Sequence, residues 1–247
     1  MTAAAGTDAA GVPVVLVHGF ASSAEHNWRR TGWLDLLADE GREAIAVDLP
    51  GHGLGPHPAS SAGSPEEIVA AAIGDHELVD AIGFSAGARV LLRAAAAQPQ
   101  RFRRMVLIGV GPGVLAPADP GPVIAALDGE PDPEDVRGLV FRRLAENAGN
   151  DRAALIAFLR LPQPPLTAAE LAGISCPVLV VLGDRDPAGP GDGLVAELPD
   201  AQLVTLPGVD HFGITADVRC MDAVLRFLAR PGPARPGPAR PGPAPPC

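Results

Sequence analysis

Gly83-Phe84-Ser85-Ala86-Gly87 has the form G-x-S-x-G, and its flanks decide how the rest of the chain is read. The largely apolar run Val79-Asp80-Ala81-Ile82 leads into it, and a stretch of small residues, 86–97, follows. That order predicts a strand, a sharp turn and a helix. At such a turn a serine is held in an unfavourable backbone conformation that pushes its hydroxyl into the open. The glycines two residues before and after it are a steric need, because side chains there would block the turn. Ser85 is therefore the candidate nucleophile.

The same rhythm extends on both sides. Residues 12–17 are a short β-branched run, expected as a buried parallel strand, and they end in His18-Gly19-Phe20. Residues 33–39 read as a helix closed by Gly41, and 43–47 as a second strand running into Asp48-Leu49-Pro50-Gly51-His52-Gly53. Ser64-Pro65-Glu66-Glu67 has the make-up of a helix start: a serine cap, proline in the first turn, then acids. The fourth strand is expected at 105–110, with Arg101, Arg103 and Arg104 ahead of it. Residues 111–175 interrupt the alternation with helical patterns at 133–147, 151–161 and 167–171. Strands return at 177–182, before Gly183-Asp184-Arg185-Asp186, and at 202–206, before Pro207-Gly208-Val209-Asp210-His211. A helix around 193–197 lies between them, and an amphipathic helix at 217–228 closes the series.

Strands alternating with helices imply an α/β fold, a mostly parallel sheet with helices on both faces. Ligands bind such sheets at the carboxyl ends of the strands. Phe20, Ser85, Asp186 and His211 each follow a strand's carboxyl end, so they are expected to converge on one rim.

Composition sets the outer limits. The 247 residues suffice for one large domain, placed at 12–230, between a flexible N-terminus (1–11) and a tail (231–247). The tail repeats Pro-Gly-Pro-Ala-Arg and has almost nothing to bury, so disorder is expected there. Net charge is −10, and every basic residue is arginine. Such an acidic chain is not expected to bind nucleic acid. Without lysine, Schiff-base and P-loop chemistry are excluded. Cys176, Cys220 and Cys247 are far apart and lack metal-ligand spacing, so they read as reduced core or tail residues. Residues 1–11 lack the pattern of a secretory leader, and no apolar run reaches membrane-spanning length. The expected setting is the cytoplasm, with no membrane association.

With these motifs in this order, the chain resembles the α/β-hydrolase family. His18-Gly19, the 48–53 loop, Gly83-x-Ser85-x-Gly87, the acid after Gly183 and His211 follow one another as they do there. The interval from Ser85 to Asp186 leaves room for an inserted helical cap, and that from Asp186 to His211 for one helix and one strand. The departure is at the start: family members usually carry an antiparallel strand pair before the His-Gly strand. About six strands are therefore expected, with the cap at about 111–175.

The resemblance implies a serine hydrolase. A serine hydroxyl needs a base to take its proton, and an imidazole, whose ordinary pKa is ~6.5, can serve. His211 takes that role, Asp186 orients it in preference to Asp184, and the Phe20 and Ala86 backbone N–H groups form the oxyanion site. His18 and His52 are expected to bond to backbone, while His26, His57 and His76 are read as solvated. Trp28 and Trp33 are read as packing residues, with the substrate entrance as a second place for Trp28. The phenylalanines are read as core. Arg142, Arg143 and Arg160 are read as solvated. The implied substrate is a small to medium ester, lactone or related acyl compound, with no cofactor and no metal. Lactonase, C–C bond hydrolase and perhydrolase share the same residues, and a slow or non-catalytic ligand sensor is the alternative from another class.

Overall fold

The computed structural model describes residues 11–58, 63–129 and 134–230. The expected flexible N-terminus, up to residue 10, and the expected disordered tail lie outside the described residues.

Six strands form one sheet: β1 (Val14–Val17), β2 (Ala44–Val47), β3 (Val79–Phe84), β4 (Phe102–Ile108), β5 (Val178–Gly183) and β6 (Ala201–Leu206). Their spatial order is β2-β1-β3-β4-β5-β6, and every pairing is parallel. Parallel strands need crossovers, and helices supply them. They are α1 (Trp33–Asp39), α2 (Pro65–Ile73), α3 (Ala86–Ala97) and α8 (Asp192–Val195), while α9 (Val218–Leu228) follows the last strand and closes the fold. Between β4 and β5 lie α4 (Gly121–Asp128), α5 (Val136–Ala148), α6 (Arg152–Leu159) and α7 (Ala168–Ala172).

Side-chain alternation divides the core into two layers. Val15 and Val17 of β1 face a cluster with residues of α2 and α3, whereas Val14 and Leu16 face Trp33, Leu37 and the apolar side of α9. Local signals set the helix ends. The Ser64 hydroxyl accepts from Glu67 N–H at 3.2 Å, and the Glu67 carboxylate accepts from Ser64 N–H at 2.6 Å, closing a capping box. Thr167 and Glu170 repeat the motif on α7.

Several readings are corrected. β4 begins at Phe102, so Arg103 and Arg104 lie inside the strand and are buried. The neighbouring strand makes this tolerable. Asp80 of β3, also buried, accepts from Arg103 Nε at 2.9 Å and bonds the Nη2 groups of Arg103 and Arg42. The strand then stops at Gly109, whose φ is +66°. α4 has weak local signals and goes unread in the sequence; it forms against α5 and α6, where Val123 and Leu127 meet Leu155 and Ile156. Trp28 is fully buried and meets Trp33 edge-on at 5.9 Å, which places it in the core rather than at an entrance. Cys176 and Cys220 are buried free thiols, and burial pushes each pKa up to about 12.

Candidate active site

Ser85 joins β3 to α3 with φ +52° and ψ −109°, a backbone conformation that side chains disfavour. Two close approaches sustain it. A Cβ at Gly83 would meet Ala88 Cα at 2.7 Å, and one at Gly87 would collide with the Val17 carbonyl oxygen. The glycines thus let the start of α3 lie directly against β1 and β3.

The Ser85 hydroxyl lies 3.0 Å from His211 Nε2. On the other side of that ring, Nδ1 lies 3.0 and 2.9 Å from the two Asp186 carboxylate oxygens. A carboxylate can only accept, so Nδ1 carries the hydrogen and Nε2 faces the serine as acceptor. The Asp186 side chain is fully buried, and its Oδ1 also accepts from Ala188 N–H at 2.8 Å. Asp184 is exposed and accepts instead from Gly208 N–H at 2.7 Å, which ties the turn after β6. The two acids two residues apart therefore have different surroundings.

Below the imidazole lie Phe84, its ring 5.1 Å from that of His211, and Gly109. A Cβ at Gly109 would come within 3.1 Å of His211 Cε1. Gly109 was not singled out from the sequence. Its positive φ next to a strand end is the signal, but it appears only once the ring's place is known.

The N–H groups of Ala86 and Phe20 lie at the start of α3, next to Ser85 in the chain, and in the turn after β1. Among the described residues neither has a hydrogen-bond acceptor, so both are available to an external oxygen. A Cβ at Gly19 would meet Ser85 Cβ at 3.5 Å and the Phe84 ring at 2.7 Å, which shows how close that turn comes.

His18 and His52 buttress the same rim in neutral form. Nδ1–H of His18 donates to Gly19 O at 2.8 Å, and its Nε2 accepts from Leu49 N–H at 3.0 Å. Burial pushes its pKa down to about 4. His52 donates from Nδ1 to Pro50 O at 2.9 Å, and its buried Nε2 has no partner among the described residues. Burial, reinforced by His18, lowers its pKa to about 3. His26 is not simply solvated: Ser23 Oγ lies 2.9 Å from its Nδ1, and Arg30 donates to its Nε2 at 2.9 Å. Arg142 also finds partners, donating to Gly129 O at 2.7 Å and to Glu146 at 3.3 Å.

Phe84, Phe102, Phe158 and Phe227 are buried in the core as expected, whereas Phe20, Phe141 and Phe212 are not fully buried and form a wall that Phe158 completes from the core side. Phe20 stacks on Phe158 at 6.0 Å and meets Phe141 edge-on at 5.5 Å, and Phe141 meets Phe212 at 6.3 Å. Phe212 abuts His211 and is 45% exposed. Residues far apart in sequence make this wall, so no local stripe announces it. Among the described residues no three His, Cys, Asp or Glu side chains are grouped as metal ligands, and no helix is long and apolar enough to cross a membrane. A groove of about 150 Å³ between α2 and α3, lined by Ile73, Ala97 and Phe102, lies toward the far end of α3 from Ser85.

Comparison with known proteins places these features. The model of the alpha/beta hydrolase family matches residues 14–227. The pimeloyl-[acyl-carrier protein] methyl ester esterase of Nitrosomonas europaea is 30% identical over 247 residues, 87% of this chain and 96% of that protein. An esterase structure from Thermogutta terrifontis superposes with a TM-score of 0.68 at 20% identity, covering 89% of this chain and 91% of that one. The 2-hydroxy-6-oxo-6-phenylhexa-2,4-dienoate hydrolase of Rhodococcus sp. strain RHA1 does so with 0.63 at 24%, covering 90% and 91%. The two structural likenesses are of fold.

Proposed function

Because the chain belongs to the alpha/beta hydrolase family and is an enzyme of hydrolase type, we propose that it cleaves a small to medium ester, lactone or related acyl substrate through an acyl-enzyme on Ser85. The observation that carries this reading is the bonded series from Ser85 Oγ through His211 to the buried Asp186.

Ser85 Oγ attacks the acyl carbon while His211 Nε2 takes its proton. The imidazolium so formed is steadied by Asp186, which also holds the tautomer that leaves Nε2 free. Negative charge on the former carbonyl oxygen falls between the Phe20 and Ala86 N–H groups, one such donor being worth ~3–4 kcal/mol of barrier. The tetrahedral intermediate collapses when His211 returns the proton to the departing alkoxide. Water then repeats the sequence on the acyl-enzyme and releases the acid and the serine. The acyl group lies against Phe20, Phe141, Phe158 and Phe212, an apolar wall that suits a hydrocarbon portion. The methyl ester esterase named above is consistent with an ester as the bond cleaved.

The test is turnover on p-nitrophenyl esters of increasing acyl length, together with labelling by a fluorophosphonate. Multiple turnover with a rate maximum at a defined chain length, and covalent label on Ser85, are expected. A stoichiometric ligand complex with negligible turnover would favour a sensing role and defeat the proposal.

A further inference from the structure

The turn that carries the Phe20 amide is strained, and the helices between β4 and β5 hold it. Gly19–Ser22 closes through Ser22 N–H to Gly19 O at 3.3 Å. Its third residue, Ala21, has φ +59°. Among the described residues Ala21 and Ser85 are the non-glycine positions with positive φ. A left-handed alanine is unfavourable and persists only where its surroundings hold it. Ala21 is fully buried in a cluster with Val123 and Leu127 of α4 and Leu155 and Ile156 of α6.

A polar tie lies beside that apolar one. Asn150, between α5 and α6, donates from Nδ2 to Ser22 O at 2.8 Å. Its Oδ1 accepts from Gly53 N–H, also at 2.8 Å. One side chain therefore joins the inserted helices to both rim loops, the one after β1 and the one after β2. An oxyanion donor acts only if it is already aimed when charge develops. The backbone next to Phe20 would relax if left-handed Ala21 were released.

We propose that Asn150 is a positioning residue: its bond to Ser22 O, with α4 and α6 packed on Ala21, fixes the turn that presents the Phe20 N–H beside Ser85. The proposal rests on the reading of Phe20 as an oxyanion donor. It makes the inserted helices part of transition-state stabilisation as well as a cover over the site.

Two variants test it, Asn150→Ala and Asn150→Asp. The second retains an acceptor for Gly53 N–H but turns a carboxylate toward the Ser22 carbonyl. Active serines are counted by fluorophosphonate titration, so that kcat is expressed per competent site and misfolded protein drops out. Both variants should lose about tenfold or more in kcat per titrated serine, because a misplacement of ~1 Å can cost ~10²-fold. KM for a p-nitrophenyl ester should stay within about twofold, and a boronic acid, which mimics the tetrahedral state, should weaken in step with kcat/KM. If Asn150→Ala does not fold, Asn150→Asp carries the same test. Unchanged kcat per titrated serine, or a rise in KM alone, would overturn the proposal. Failure of the parent reading shows separately: wild-type protein would then take up no fluorophosphonate, and both fall.

Discussion

At the amino end of the sheet, Asp80 lies between Arg42 and Arg103, and Arg103 also donates to Leu228 O at 3.0 Å at the end of α9. Arg42 also donates to Val12 O at 2.8 Å, so one buried carboxylate links β3, β4 and the turn before β2, and Arg42 extends the link to the segment leading into β1. At the carboxyl end the buried polar groups are handled differently. Among the described residues this end holds the two non-glycine positions of positive φ, Ser85 and Ala21, and the Phe20 and Ala86 N–H groups, for which no acceptor is found. Among the same residues, buried side-chain nitrogens without a partner occur at both ends, His52 Nε2 here and Arg42 Nη1 and Arg103 Nη1 at the other. Both ends bury polarity, but one joins strands with a shared carboxylate, whereas the other combines positive-φ backbone with amides that find no acceptor among the described residues. Strained backbone costs stability and persists where its surroundings hold it.

Mutations can break that contrast. The largest expected effect is Ser85→Ala, which should lose on the order of 10⁶-fold in kcat while the thermal midpoint holds or rises. Retained turnover would remove the carboxyl rim from the chemistry. Next is Asp186→Asn, expected to lose up to ~10⁴-fold in kcat because the imidazolium loses its counter-charge. Asp184→Asn should lose far less, since its bond to Gly208 N–H only ties a turn. Steady-state kinetics on both, with folding checked by circular dichroism, ranks the two acids; the reverse order would reassign the role.

At the other end, Asp80→Asn should leave kcat per folded molecule within about twofold but cost about 3–5 kcal/mol of stability, because two buried guanidinium groups lose their counter-charge. Urea unfolding measures this, and a large kcat loss with intact stability would erase the distinction between the two ends. The smallest effect concerns pH. The folded-state pKa of His18 is lowered to about 4 and that of His52 to about 3. Above about pH 6.5 both are neutral, folded or unfolded, and the full stability is present. As pH falls below that value the unfolded chain takes up protons that the fold refuses, so stability is lost on the way down to about 4 and then about 3. The urea midpoint should therefore be lower at pH 5 than at pH 7.5, and an equal or higher midpoint at pH 5 would contradict this account.

How much of this was legible in the sequence differs by residue. The strand Val79–Phe84 starts, and the helix Ala86–Ala97 starts and ends, where the sequence places them, because glycines and small residues mark the elbow locally. Asp186 was separable from Asp184 by the family pattern, and the two have different partners in the structure. Arg103 was placed outside its strand because an arginine in a β run looks like a boundary until Asp80 is seen beside it. Phe20, Phe141, Phe158 and Phe212 looked scattered because four separate segments bring them together. Ala21 gave no signal at all, since alanine rarely adopts positive φ and only its neighbours hold it there.

The sequence by itself determined the alternation of strands and helices, the sharp turn at Ser85 and the order in which Ser85, Asp186 and His211 arrive. These follow from patterns a few residues long: β-branched runs, caps, and glycines where a side chain would collide. Only the tertiary structure decided which face of each ring or amide meets which partner. It alone put Asn150 between two loops, Gly109 under His211 and a left-handed alanine beneath two helices. The physical reason is that hydrogen bonds and close packing act over a few ångströms in space, and the groups they join here lie tens to more than a hundred residues apart along the chain.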